Sequence, residues 1–369
     1  MTRIVPDMTG LEHAGATGAS HRRLRRGHRA ADNPARMDKA EPIAVIGAGA
    51  WGTALAQALA ADGRRVALWA RREDVVAAIR GQRENTPCLP GVTLHAAIAP
   101  STDLAATLAG ATTALLAVPA AFAPAVAARI RDCGAGPQSL TIAAKGFAQP
   151  GSRLLGDAIA QTLPGADIAV LSGPSFAQDV ARGLPTAIVL AARTPDIARA
   201  LAARLATPRL RIYASDDPVG VQIGGALKNV VAIACGIVVG RGLGESARAA
   251  LLTRGLAEMA RLAAAMGGRR TTLMGLSGLG DLALTCGSAQ SRNHSFGIAL
   301  GRGQALAGLL AGRRSVVEGI GAATAAAELA TRFGLDLPIC EAVAAILQRG
   351  AAIDDSIAAL MARPLKEEE

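Results

Sequence analysis

The chain has 369 residues, a formal net charge of +10, 51% hydrophobic side chains, 42 glycines and 2% aromatics. That length allows two domains with a large core, and glycine without a three-residue period excludes collagen-like and low-complexity readings. The positive balance does not point to nucleic acid: residues 1–40 hold eight basic against four acidic side chains, and no basic helix is interleaved with aromatics.

Residues 1–40 lack apolar periodicity and are expected to form a disordered basic extension, with Met37 as a second candidate start. No apolar secretory core is present in that stretch. From 41 to 218 apolar runs and alanine-rich helical stretches alternate. Ile43–Ile46, Val66–Trp69, Ala114–Val118, Leu140–Ala143, Ile168–Leu171 and Ala187–Leu190 read as buried strands. Between them Thr53–Ala61, Glu73–Arg80, Ala121–Arg131 and Arg153–Thr162 read as helices, which predicts a mostly parallel sheet covered on both faces. After Tyr213 the strand signals stop. Val219–Val239, Ala247–Met266, Phe296–Leu310, Gly321–Arg332, Ile339–Gln348 and Ile353–Met361 predict an all-α domain over 219–363, followed by a polar tail over 364–369. Val219–Gly240 approaches membrane-spanning length, but Gln222, Lys228 and Asn229 interrupt it, so a soluble protein is expected. The five cysteines form no CxxC pair and share no metal spacing with the five histidines. Reduced thiols, no metal and a cytoplasmic location are the expectation.

Five constellations carry chemistry. The first strand runs into Gly47-Ala48-Gly49-Ala50-Trp51-Gly52 and then a helix, the context in which a glycine loop cradles a dinucleotide pyrophosphate. The second strand ends on Arg71 and Arg72, where an NAD-specific site would offer a carboxylate, so a 2′-phosphate and NADPH are favoured. Lysine is scarce, only Lys39, Lys145, Lys228 and Lys366. Arginine keeps its proton, whereas a desolvated lysine can exchange one near neutral pH. Lys228 sits in an apolar helix beside Asn229, and Gly224 and Gly225 on its face would leave room for a ligand. Lys145 follows a strand in AAKGF, and Gly173 and Ser175 follow the next one in LSGPSFA, at the sheet edge where such folds bind ligands. In the helical half GLSGLGDL presents Asp281, and Ser291-Arg292-Asn293 combines a bidentate cation with neutral donors, which suits an anion.

Taken together, GAGAWGTALA, NTPCLPG, AKGF, LSGPSFA, GALKNVVAIACG, GLSGLGDL and SRNHSFG closely resemble the bacterial NAD(P)-dependent glycerol-3-phosphate dehydrogenases, from about Pro42 to the end of the helical half. The resemblance implies an α/β Rossmann-type dinucleotide-binding domain followed by an all-α domain of the 6-phosphogluconate dehydrogenase-like kind. It implies an oxidoreductase that interconverts sn-glycerol 3-phosphate and dihydroxyacetone phosphate with NADP or NAD, feeding glycerophospholipid biosynthesis. A homodimer is the expected assembly, with no nucleic acid and no integral membrane association. By the same resemblance the catalytic base falls on Lys228. Phosphosubstrate contacts fall on Lys145, Gly173, Ser175, Asp281, Ser291, Arg292 and Asn293. Cofactor contacts fall on Ala50, Trp51, Arg71, Lys145, Ala177, Arg292, Val316 and Glu318. Ser175 stands where threonine is frequent, and the 40-residue extension, outside the family pattern, takes no assignment. From the chemistry alone, Lys145 would polarise the reacting oxygen or hold the substrate, and Asp281 would orient Lys228. Two alternatives stand beside this reading: a related dehydrogenase of another hydroxy acid or sugar phosphate, and a non-catalytic NAD(P)-sensing protein.

Overall fold

The computed structural model describes residues 41–134, 136–311 and 317–364; the basic extension and the end of the tail lie outside them. Ten strands occur among the described residues: β1 (Ile43–Ile46), β2 (Val66–Trp69), β3 (Ile98–Ser101), β4 (Thr113–Leu116), β5 (Ser139–Ile142), β6 (Phe147–Ala148), β7 (Arg153–Leu154), β8 (Asp167–Ser172), β9 (Thr186–Ala192) and β10 (Leu210–Ser215). Eight of them form one sheet in the order β10-β9-β8-β5-β4-β1-β2-β3, while β6 and β7 make a separate two-stranded ribbon. Every pairing in the large sheet is parallel except β8 with β9, so β9 and β10 run against the rest. Ile46 lies opposite Trp69 on one side and Leu116 on the other, and these three strand ends finish level at the carboxyl edge.

The six expected strands are all present, and β3 and β10 join them. Both are edge strands, and each has the sequence of an edge. Pro100 inside β3 cannot donate to a neighbouring strand, which an edge position tolerates. β10 leaves Arg211, Tyr213 and Ala214 partly or fully in solvent, so no continuous apolar run marks it. Two helices also differ from expectation. Arg153 and Leu154 belong to β7, and the helix begins at Leu155. Phe296–Leu310 is two helices, Arg292–Gly301 and Leu306–Leu310, because Gly303 turns the chain at φ +85°.

The helical half is assembled around one helix, Pro218–Gly240, buried on nearly every face. Its start is fixed by Asp217, which accepts from Gly220 N–H at 2.8 Å, Arg269 N–H at 2.9 Å and the Thr272 hydroxyl at 2.6 Å. The helix is long and apolar enough to cross a membrane, yet 89% of its most apolar window is buried inside the fold. It is a core helix. The Arg292–Gly301 helix lies directly on it through two glycine pairs. A Cβ on Gly236 would come within 2.9 Å of Gly297 Cα, and one on Gly240 within 2.9 Å of Gly301 Cα. This close crossing carries the start of the second helix to the level of Asn229.

Candidate active site

The three glycines of the first loop have three separate jobs. Gly47 has φ +116° and its Cβ would lie 2.7 Å from Ala117 O, so only glycine makes the turn. A Cβ on Gly52 would strike Gly47 O at 1.9 Å, so the third glycine lets the helix pack on the loop. Gly49 faces open space with nothing within 4 Å, and no side chain caps the Ala50–Ala61 helix that follows it. An uncapped helix start with an open approach fits a dinucleotide pyrophosphate. Ala50, Trp51 and Ala177 flank the loop in one apolar cluster. The buried Trp51 Nε1 has no partner among the described residues.

At the end of β2, Arg72 does not stand free. Its Nε donates to Asp74 Oδ1 at 2.8 Å and a second nitrogen pairs with Oδ2, so a carboxylate two residues on neutralises it. Arg71 is exposed and makes no hydrogen bond or ion pair among the described residues. The expected pair of free cations is thus one free arginine and one engaged. The sequence signal for this, Glu73-Asp74, lies at the start of the next helix, where acids are favoured for the helix's own reasons.

The chemistry-bearing cluster gathers around Asp281, which is fully buried. Lys228 Nζ donates to its Oδ1 at 2.5 Å and Lys145 Nζ to its Oδ2 at 2.6 Å. Lys228 Nζ also donates to Thr285 Oγ1 at 2.9 Å, and that hydroxyl donates in turn to Asp281 O at 2.6 Å. Lys145 makes a further bond to Gly173 O at 3.1 Å, and Ser175 Oγ donates to the same oxygen at 3.1 Å. One carboxylate therefore faces two ammonium groups, with little water to share the charge. Burial lowers the Lys228 pKa to about 8; Lys145 adds to the fall, and the Asp281 carboxylate opposes it. Lys145 and Gly173 follow β5 and β8 at the carboxyl edge of the sheet, beside the glycine loop's strand neighbours.

Thr285 carries no mark in the sequence motifs, although its i+4 spacing from Asp281 puts both on one helix face. Gly224 and Gly225 behave differently from expectation. A Cβ on Gly224 would lie 2.4 Å from Ser277 O, and one on Gly225 2.7 Å from Ser172 Oγ and 3.4 Å from Lys145 Cγ. The room they leave is filled by protein. They seat the turn before Asp281 and the stem of Lys145 against the helix one turn ahead of Lys228, which brings the three charges together.

The Ser291-Arg292-Asn293 run opens its helix, and two of its members are already engaged. Ser291 Oγ caps the helix by accepting from His294 N–H at 3.2 Å. Asn293 donates to Asn229 Oδ1 at 2.8 Å and accepts from Gly319 N–H at 3.0 Å, joining three helices beside Lys228. Arg292 is exposed at the helix start. Glu318 lies near it. Burial pushes that carboxyl up, while the Ala120 N–H at 3.4 Å and Arg292 hold it down. Val316 lies outside the described residues.

Comparison with known proteins gives a consistent family. A model described as the NAD-dependent glycerol-3-phosphate dehydrogenase N-terminus matches residues 42–198, and the C-terminus model of the same family matches residues 217–358. A glycerol-3-phosphate dehydrogenase [NAD(P)+] of Methylobacterium radiotolerans is 52% identical over 90% of this chain and 99% of that protein. One from Parvibaculum lavamentivorans is 49% identical over 88% and 98%. Among solved structures, the glycerol-3-phosphate dehydrogenase of Coxiella burnetii superposes with a TM-score of 0.84 at 39% identity, covering 88% of this chain and all of that one. A ketopantoate reductase from Ralstonia eutropha shares the fold at TM-score 0.56 and 18% identity.

Proposed function

We infer the division of labour at this site from one premise: the chain belongs to the NAD-dependent glycerol-3-phosphate dehydrogenase family. It is an NAD(P)-dependent oxidoreductase that interconverts sn-glycerol 3-phosphate and dihydroxyacetone phosphate. Residues 41–218 serve the cofactor and 219–363 the substrate. The observation that carries the assignment of roles is the buried Asp281 carboxylate with one lysine on each oxygen.

The bound nicotinamide supplies or accepts the hydride. Lys228 manages the proton at the substrate's C2 oxygen, giving it up in reduction and taking it in oxidation. With a pKa of about 8 it holds that proton near neutrality and can still release it. Asp281 keeps the ammonium oriented, and Thr285 holds it from a second side. Lys145, tied to Asp281 and Gly173 O, stands at the sheet edge to polarise the same oxygen. The surplus positive charge of the cluster, two lysines on one carboxylate, favours an anionic substrate. Arg292 is the side chain left free to grip the phosphate, since Ser291 and Asn293 already serve the helix start and Asn229. Gly47, Gly49 and Gly52 shape the pyrophosphate loop, and Arg71 is positioned for a 2′-phosphate. Glycerophospholipid synthesis in the cytoplasm, by a homodimer, is the setting we assign.

The test is a spectrophotometric assay of dihydroxyacetone phosphate with NADH and NADPH compared, on the wild type and on Lys228→Arg. Turnover of the wild type that is lost in a folded Lys228→Arg enzyme supports the role of Lys228. A folded Lys228→Arg enzyme that keeps a tenth of wild-type kcat removes Lys228 from proton transfer, because a guanidinium does not exchange its proton at working pH.

A further inference from the structure

The segment from Arg83 to His95 crosses the first helix and is fastened to it. His95 N–H donates to Gln57 Oε1 at 2.7 Å, and Asn85 reaches beneath the glycine loop. Asn85 is fully buried. Its own carbonyl accepts from Cys88 N–H at 3.1 Å and Leu89 N–H at 2.7 Å, which closes a tight turn and fixes the direction of its side chain. Its Nδ2 donates to Ala48 O at 2.9 Å and to Thr53 Oγ1 at 2.7 Å. Both amide protons are thereby used, while Oδ1 is buried without a partner among the described residues. The residue is present for its donors.

Ala48 lies between the first two loop glycines. In a trans peptide the carbonyl oxygen and the following N–H point in opposite directions. With the Ala48 oxygen held on the protein side, the Gly49 N–H faces away from Asn85, and the space around Gly49 is open. Gly49 O is meanwhile spent on Thr53 N–H at 2.9 Å. We propose that Asn85 is a positioning residue for the dinucleotide: it orients the Ala48–Gly49 peptide so that Gly49 N–H donates to the pyrophosphate. Asn85 itself touches no cofactor atom. Thr53 completes the device by fixing the second amide proton.

Calorimetric titration of the full chain tests this, with NADPH, ADP-ribose and adenosine 2′-monophosphate as ligands. In Asn85→Ala the Kd for NADPH and for ADP-ribose, which carry the pyrophosphate, should rise about tenfold. The Kd for adenosine 2′-monophosphate, which lacks it, and the KM for dihydroxyacetone phosphate should stay within about twofold. A loss shared equally by all of these ligands, or none for ADP-ribose, overturns the proposal. Should circular dichroism find Asn85→Ala unfolded, Thr53→Val decides: the same pattern at about threefold supports it, and an unchanged ADP-ribose affinity overturns it.

Discussion

Two cation sites in this molecule are held by opposite means. Around Lys228 the charges are buried, the partners are fixed and the carboxylate is outnumbered. At the end of β2 Arg71 and Arg72 stand in solvent, and Asp74 already answers one of them. In the first place desolvation sets the chemistry, because a buried ammonium is costly and its proton becomes movable. In the second, water and salt screen the charge, and an arginine, which keeps its proton, can serve recognition and not proton transfer. Substitutions should therefore be severe in the first place and merely shift a preference in the second.

The largest effect should come from Lys228 itself. Lys228→Arg should lower kcat by about a thousandfold or more with the fold and NADPH binding retained, as measured by steady-state kinetics and circular dichroism. Next is Asp281→Asn, which leaves the buried Lys228 ammonium and the partly buried Lys145 ammonium without their carboxylate. Unfolding free energy in urea should fall by about 3 kcal/mol at pH 7, with activity lost as well. An unchanged midpoint would mean that the cluster is wetter than its burial implies.

Arg292→Lys should reduce kcat/KM for dihydroxyacetone phosphate by about a hundredfold and alter the slow reaction of unphosphorylated dihydroxyacetone much less. Equal losses would assign Arg292 to the cofactor instead. The pH dependence sharpens the buried half of the comparison. Reduction needs Lys228 charged, so its kcat should fall about tenfold per pH unit above pH 8, while the oxidation rate should rise towards a plateau there. Stability has a definite sign too. Lys228 titrates near 8 when folded and near its ordinary 10.5 when unfolded, so between those values the unfolded chain binds more protons. The cost of burying the charge is fully present below pH 8 and is relieved as pH rises through that window. Comparing wild type with Lys228→Met from pH 7 to 10 reads it out. The smallest effect belongs to the exposed site. Arg71→Ala should weaken NADPH by about tenfold and NADH hardly at all, and Arg72→Ala should do less because Asp74 already engages that side chain.

Much of this was legible in the residues. The six interior strands announce themselves because they are apolar on both faces, and the two edge strands do not because one side meets water. Lys228 and Lys145 stand out by scarcity and Asp281 by context, yet their meeting depends on contacts between residues 53 and 136 positions apart. No local pattern encodes that distance. Thr285 escapes because a threonine four residues after an aspartate is common. Asn85, one of four asparagines, stands in NTPCLPG without a role there, because its partners, Ala48 O and Thr53 Oγ1, lie 37 and 32 positions away. The glycines at 224 and 225 mislead for a related reason: sequence reveals that a side chain is missing and leaves open whether ligand or protein takes the space.

The crossing of the Pro218–Gly240 and Arg292–Gly301 helices has a consequence for anyone redesigning the enzyme. Gly236, Gly240, Gly297 and Gly301 make the two backbones touch, so the span between Arg292 and Lys228 works as a ruler with no adjustment. A single methyl at Gly297 would meet Ile233 O at 2.1 Å and force the helices apart. That would lengthen the ruler and tilt the end that carries Arg292 at once. A variant intended for a longer substrate is therefore better sought in the side chain at position 292 than in the helices that carry it. The four glycines thus set how far apart the two helices hold Lys228 and Arg292.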